Sequence, residues 1–119
     1  KNKQVLLSKK TITRDFLYVS DFLNAINLVI KSNKVKGEIF NICYGKSYSI
    51  DTVIKILSKK IKKIKLDYNF KNRKYKQSEK IFASNHKAKK FFNWQPKVKL
   101  EEGLSLTVNS FFQNAKSKN

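Results

Sequence analysis

Two arginines are the residues of this chain best suited to phosphate chemistry. Arg14 and Arg73 are the only arginines among 27 Lys and Arg residues. A guanidinium group presents several fixed donors to phosphate oxygens, whereas lysine suffices for a plain surface charge. For Arg14, an arginine in so lysine-rich a chain therefore favours a functional role over a plain surface charge. The alternative for Arg14 is a surface ion pair with its neighbour Asp15.

Catalytic and metal-binding side chains are scarce. His86 is the only histidine, and Cys43 is the only cysteine, which leaves it without an internal disulfide partner. The three glycines, Gly37, Gly45 and Gly103, are too far apart to form a glycine-rich phosphate loop. The residues alone thus predict a phosphate-attracting module with no catalytic residue and no metal site.

The composition restricts the class of partner. The chain has 119 residues, 40% of them hydrophobic, and a formal charge of +19, which suits one folded domain that attracts anions. The lysines are spread along the whole chain and arginine is scarce, which favours solvated lysines over a nucleic-acid interface. Nucleic-acid binding stays open as the alternative. Apolar runs are too short to cross a bilayer and no secretory leader opens the sequence, so we expect a cytoplasmic protein without a membrane partner.

Hydrophobic periodicity predicts four helices that would position these residues. The first is capped by Ser20 and runs to about Ser32, with Phe22, Leu23, Ile26, Val29 and Ile30 on its apolar face. The others begin at Ser49, at Ser84 or Asn85, and at about Glu101. Asn93 is expected to end the third helix in a left-handed conformation.

Short strands are predicted at residues 5–7, 16–19, 38–42, 64–68 and 81–83, with a loop over residues 69–79. This order indicates an α/β fold, α+β-like when taken alone. Amphipathic helices need more sheet than such short strands provide. We therefore expect the chain to be part of a larger molecule.

Four segments carry a family resemblance. They are RDFLYVSD at 14–21, GEIFNICYGKSYSI at 37–50, KAKKFFNWQP at 87–96 and LEEGL at 100–104. In this order they resemble the C-terminal third of the NAD-dependent epimerase/dehydratase family, extended short-chain dehydrogenases that act on nucleotide sugars. Cys43 departs from the pattern, since the family usually has glycine there.

The resemblance implies that cofactor binding and substrate binding belong to different portions of the enzyme. In the family, an N-terminal Rossmann domain binds NAD or NADP through a glycine-rich turn and carries a Tyr-x-x-x-Lys catalytic pair, and neither motif occurs here. Residues 1–115 are then the C-terminal nucleotide-sugar-binding portion of a Rossmann-type fold, and residues 116–119 are a polar tail. We expect such a portion to be inactive alone. Members are often homodimers through helices of the missing domain.

Candidate binding residues follow from the same resemblance. Arg14 corresponds to a residue that contacts the substrate pyrophosphate, and Phe16 to an aromatic residue beside the nucleotide, with core packing as its alternative. Asn41 lies near the nucleotide pocket, with backbone bracing as its alternative, and Asp15 is expected to brace a turn.

Arg73 and Glu79 fall where the family has an arginine on the diphosphate and an acidic residue on the nucleoside hydroxyls. Counting back from Ala83 places Tyr75 at the arginine position instead.

The function expected from the sequence is therefore the substrate-binding part of an NAD(P)-dependent nucleotide-sugar epimerase or 4,6-dehydratase, contributing the nucleoside diphosphate pocket. A small basic nucleic-acid-binding module and an inactive truncated remnant are the alternatives.

Overall fold

Four helices and four three-residue strands make up the fold. The computed structural model describes residues 5–7, 12–33, 35, 37–61, 68–70 and 80–116. The helices are α1 Val19–Ile30, α2 Ile50–Lys60, α3 His86–Phe92 and α4 Leu100–Lys116. The strands are β1 Val5–Leu7, β2 Thr13–Asp15, β3 Ser47–Ser49 and β4 Tyr68–Phe70. The α/β class with four helices is confirmed.

The described strands form two separate pairs. β1 and β4 are parallel, with Leu6 opposite Asn69, and β2 and β3 are antiparallel, with Arg14 opposite Tyr48. A single bridge also joins Thr13 to Lys80. These pairs offer little sheet surface to the helices, as the sequence predicts.

Helix ends follow local chemistry in two cases. The Ser49 hydroxyl caps α2 by accepting a hydrogen bond from the Thr52 N–H at 3.0 Å. Asn93 ends α3 at φ 52° and ψ 30°, the left-handed conformation that asparagine tolerates. Both predictions are confirmed.

The predicted start of α1 is wrong. The helix begins at Val19, and Tyr18 is the N-cap residue, without a side-chain capping bond. The Tyr18 carbonyl accepts hydrogen bonds from the N–H groups of Asp21 and Phe22, at 3.1 and 3.3 Å. Because this carbonyl already closes the first turn, Ser20 lies inside the helix.

Several predicted strands are also wrong. Residues 16–18, 38–42 and 81–83 are irregular, and β2 lies instead at residues 13–15. Of the strand predicted at 64–68 only Tyr68 is described, at the start of β4, which extends into the predicted loop. A β-prone segment becomes a strand only where another strand supplies hydrogen-bond partners, so propensity alone misplaces it.

The core is built around Trp94. This side chain is buried with Ala25 of α1 and Ala88 of α3, and partly buried apolar residues such as Phe92 pack around them. The buried Asp21 ties α1 to the same region. Its carboxylate accepts hydrogen bonds from the N–H groups of Lys97 and Val98, and its carbonyl accepts one from the Trp94 indole. Asp21 thus links the first turn of α1 to the segment between α3 and α4.

The predicted core face of α1 is wrong. Residues at positions 21, 25 and 28 face the core, whereas Phe22, Leu23, Ile26 and Ile30 are exposed. The apolar periodicity is real, but the described part of the chain covers only the opposite side of the helix.

Candidate functional site

The β2–β3 pair positions Arg14. Arg14 and Tyr48 are cross-strand partners, so their side chains project from the same face of the ribbon. The half-buried Arg14 guanidinium donates a hydrogen bond from Nη1 to the Thr13 carbonyl at 2.7 Å. This bond ties the guanidinium to the backbone of its own strand.

Further polar and cationic side chains lie next to this pair. Lys46 Nζ is 5.3 Å from the centroid of the Tyr48 ring, within the range of a cation–π contact. The ring centroids of Tyr44 and Tyr48 are 6.2 Å apart. We call Arg14, Tyr44, Lys46 and Tyr48 the Arg14 cluster. It combines two cations with two phenolic hydroxyls, a donor set suited to an anionic oxygen ligand.

The Tyr44 hydroxyl is favoured in its protonated form. Burial raises the pKa of Tyr44 above its ordinary 10.0, and the electrostatic interaction and side-chain hydrogen bond with Tyr48 raise it further. The positive charges of Lys46 and Lys99 oppose this increase in the pKa. Because the hydroxyl keeps its proton at neutral pH, it can donate a hydrogen bond to a phosphate oxygen.

Asp15 holds the loop that carries Tyr44. Its two carboxylate oxygens accept hydrogen bonds from the N–H groups of Tyr44 and Gly45, both at 2.8 Å. From the other side, the Asn85 amide donates to the carbonyls of Cys43 and Tyr44, at 3.0 and 3.4 Å. Gly45 allows the turn between them, because its φ of 82° is accessible to glycine. The structure thus confirms that Asp15 braces a turn.

Cys43 has a structural role. Its buried thiol donates a hydrogen bond to the Ala83 carbonyl at 3.2 Å. Among the described non-glycine residues only Asn93 has a positive φ, so the backbone at Cys43 is one that any residue can adopt. The departure from the glycine of the family pattern therefore leaves no backbone strain at this position.

Phe16 lies at a cavity of about 150 Å³ between the end of β2 and the start of α4. Phe16, Tyr18, Lys99, Leu104 and Thr107 are among the residues that line it. Tyr18 packs directly on α4, since a Cβ at Gly103 would lie 3.1 Å from Tyr18 Cδ2. Phe16 therefore sits two residues from Arg14, beside an apolar recess.

The structure brings together only part of the predicted site. Arg14 lies in the middle of β2, and Phe16 directly follows this strand. The prediction that Asn41 ends a buried strand is wrong. Asn41 is exposed, in the irregular segment that precedes the Asp15-braced loop. Arg73 and Glu79 lie outside the described residues.

Sequence reasoning missed Tyr44, Lys46 and Tyr48. Their spacing at alternate positions leading into β3 was an available signal, since alternate residues of extended chain share a face. Within the described ranges, no three His, Cys, Asp or Glu side chains are grouped to hold a metal ion. None of the helices in these ranges is long and apolar enough to cross a membrane.

Comparison with known proteins identifies the relatives. The family model described as GDP-mannose 4,6 dehydratase matches residues 1–107. The chain is 42% identical over 104 residues to the UDP-glucuronate 4-epimerase of Thermodesulfobacterium geofontis, and the match covers 83% of this chain and 30% of that enzyme.

Solved structures give the same result. The UDP-glucose 4-epimerase of Thermotoga maritima, determined with UDP-glucose, matches with a TM-score of 0.79 and 29% identity over 95% of this chain and 36% of that one. The dTDP-glucose 4,6-dehydratase of Bacillus anthracis, determined with NAD, matches with a TM-score of 0.80 and 27% identity over 96% of this chain and 36% of that one. The chain thus spans about a third of the length of these relatives. It belongs to the NAD-dependent epimerase/dehydratase family, of which it represents the C-terminal portion.

Proposed function

We propose that this chain supplies the nucleoside-diphosphate-binding part of an NAD(P)-dependent nucleotide-sugar epimerase or 4,6-dehydratase. The match of residues 1–107 to the family model is the observation that carries the proposal. The Arg14 cluster supports it, since it places positive charge and hydroxyl donors on the β2–β3 ribbon and the loop that leads into it.

The proposed task of the Arg14 cluster is to neutralise and orient the diphosphate. Arg14 and Lys46 offset its negative charges, and the hydroxyls of Tyr44 and Tyr48 donate to its oxygens. As the family resemblance implies, Arg73 is proposed to bind the diphosphate as well, and Phe16, Asn41 and Glu79 are proposed to bind the nucleoside side of the ligand. Asp15 contributes indirectly by holding the Tyr44 loop in place.

The residues of this chain do not fit NAD(P). The three glycines lie in different parts of the fold, at a turn after α1, in the Tyr44 loop and inside α4. We therefore assign binding of NAD(P), which accepts and returns a hydride in this class of enzyme, to the portion of the enzyme that this chain does not span.

UDP-glucuronate is the substrate to test first, because the relative that acts on it shares 42% of the aligned residues. We also propose that the enzyme is located in the cytoplasm. The test uses a chimera in which this chain replaces the matched segment of the T. geofontis epimerase, and calorimetry measures its affinity for UDP.

We expect Arg14→Ala to weaken UDP binding by about tenfold or more, since a charge-assisted bond contributes about 1.5–3 kcal/mol. Arg14→Lys should lie in between, because a lysine keeps the charge and loses the planar donors. Lys55→Ala is the matched control. Lys55 is an exposed lysine of α2 paired with Asp51, and its removal should leave UDP affinity unchanged. Equal affinity of the Arg14→Ala and parent chimeras would overturn the assignment of Arg14.

A further inference from the structure

The peptide group between Tyr44 and Gly45 is held from two sides. On one side, the Asp15 carboxylate accepts hydrogen bonds from the N–H groups of Tyr44 and Gly45, both at 2.8 Å. On the other side, the Asn85 amide donates to the carbonyls of Cys43 and Tyr44, at 3.0 and 3.4 Å. Asp15 belongs to β2 and Asn85 directly precedes α3, so two distant parts of the chain hold the loop between them.

The Asn85 side chain also packs closely on this loop. It is half-buried, and a Cβ at Gly45 would lie 3.3 Å from Asn85 Nδ2, closer than an ordinary van der Waals contact. The glycine thus lets the amide approach the backbone to which it donates. Packing and hydrogen bonding together restrict the position of the loop.

The side chain of Asn85 does not cap the helix that it precedes. Asn85 is the N-cap residue of α3, and asparagine is among the residues that cap helices best. Its carbonyl accepts the Lys89 N–H at 2.9 Å, but its side chain makes no capping bond. The Ser84 hydroxyl accepts a hydrogen bond from the His86 N–H instead, at 3.3 Å. The Asn85 amide therefore serves the distant Tyr44 loop and not its own helix.

Tyr44 is the member of the Arg14 cluster whose position depends most on this arrangement. Arg14 and Tyr48 lie in paired strands, whose ladder fixes their backbone. Tyr44 lies outside the strands, and its N–H and carbonyl are bonded to Asp15 and Asn85. A hydroxyl donates to an oxygen acceptor only over about 2.5–3.0 Å, so a small shift of the loop would remove its bond to a ligand.

We propose that Asn85 is a positioning residue for diphosphate binding, because it fixes the loop that presents the Tyr44 hydroxyl to the ligand. The inference rests on the proposed function, in which this hydroxyl donates to a diphosphate oxygen. Asn85 acts through Tyr44 and contributes no donor of its own to the ligand, since its amide is bonded to the loop.

A double-mutant cycle on the UDP affinity of the chimera tests this role. Asn85→Leu keeps a side chain of similar shape, removes the amide donor and adds no charge. Tyr44→Phe removes only the hydroxyl. The two substitutions are made singly and together, and calorimetry measures UDP binding. Circular dichroism verifies that each chimera is folded, and Asn85→Ala is a second variant in case Asn85→Leu does not fold.

We expect Asn85→Leu to weaken UDP binding by about fivefold or more when Tyr44 is present, and by less than about twofold in the Tyr44→Phe background. The second effect is small because phenylalanine has no hydroxyl to misplace. Ser84→Ala is the matched control. It removes a hydrogen bond at the start of α3, to the His86 N–H, and should leave UDP affinity unchanged.

Equal weakening by Asn85→Leu in both backgrounds would mean that Asn85 does not act through the Tyr44 hydroxyl, which overturns the proposal. Unchanged UDP affinity of the Asn85→Leu chimera would overturn it as well. The Arg14→Ala chimera distinguishes this failure from failure of the proposed function. Weaker binding by Arg14→Ala without an effect of Asn85→Leu contradicts only the role of Asn85, whereas a parent chimera that does not bind UDP contradicts both.

Discussion

At the scale of single residues, Asp15 stabilises the loop that carries Tyr44. Its carboxylate satisfies two consecutive backbone N–H groups of the Tyr44 loop at 2.8 Å each. Asp15→Ala leaves both donors without this partner, and we expect it to lower the free energy of unfolding by about 1.5–3 kcal/mol, the range for hydrogen bonds to a charged group. Urea unfolding of the two proteins measures the difference.

Glu101→Ala is the control for Asp15. Glu101 is an exposed acidic residue whose carboxylate lies 3.9 Å from Lys60 Nζ, and such surface pairs contribute less than about 1 kcal/mol. A loss for Asp15→Ala no larger than that for Glu101→Ala would show that the loop does not depend on the carboxylate.

Cys43 gives a prediction about pH. Burial raises the pKa of this thiol above its ordinary 9.0, the charge of Asp15 raises it further, and hydrogen bonds with the backbone of Gly45 and Ala83 partly lower it. The fold favours the protonated thiol, so this contribution to stability is complete below pH 9.0 and decreases as the pH rises through the higher folded pKa.

Since the thiolate is the reactive form, Cys43 should react with iodoacetamide at pH 8 about tenfold more slowly in the folded chain than in urea. The same chain in urea is the reference, measured by mass spectrometry at the Cys43 peptide. Equal rates in the two conditions would contradict the burial of the thiol.

At the scale of elements, Gly103 allows α4 to pack on Tyr18. A Cβ at Gly103 would lie 3.1 Å from Tyr18 Cδ2 and 3.4 Å from Tyr18 Cβ and Cγ. Alanine is favoured over glycine inside a helix by about 1 kcal/mol, but here the contact opposes that gain. We expect Gly103→Ala to stabilise a Tyr18→Ala variant by about 0.5–1 kcal/mol and to give no such gain in the parent chain.

A double-mutant cycle measured by urea unfolding tests this coupling. An equal effect of Gly103→Ala in both backgrounds would show that Tyr18 does not set the requirement for glycine. The glycine of the LEEGL segment would then need another explanation.

At the scale of the whole molecule, the chain is extended and thin. Its radius of gyration is 17.5 Å and its dimensions are 55 × 42 × 20 Å, whereas a compact domain of this length has a radius of gyration of about 13–14 Å. The described part of the chain fully buries few apolar side chains, chiefly those around Trp94. So extended a chain has less interior in which to bury apolar side chains than a compact domain of the same length.

We therefore expect the 119-residue chain alone to unfold with a free energy below about 5 kcal/mol, under the usual range for native domains. Trp94 is the only tryptophan and is 2% exposed, so its fluorescence reports loss of the core. Urea titrations followed by this fluorescence and by circular dichroism provide the measurement. A cooperative transition with a free energy well above this range would show that the chain is a self-sufficient domain.

The helix ends could be predicted because they depend on residues that are close together in the sequence. Ser49 caps α2 through the residue three positions later, and Asn93 tolerates the left-handed turn by itself. Of the site, Arg14 was found by residue type and Phe16 by family resemblance. Tyr44, Lys46 and Tyr48 were missed, since their proximity to Arg14 depends on how β2 and β3 pair.

The sequence by itself determined the helices, the small amount of strand and the family, because backbone capping, hydrophobic periodicity and local motifs require no distant contact. Only the tertiary structure decided which face of α1 meets the core, that Asp21 accepts hydrogen bonds from the N–H groups of residues 97 and 98, and that none of the described strands pairs with residues 38–42. These features depend on atoms far away in the chain. The sequence predicts that an apolar helix face or a strand needs a packing partner. Only the tertiary structure shows whether another part of the same chain supplies that partner.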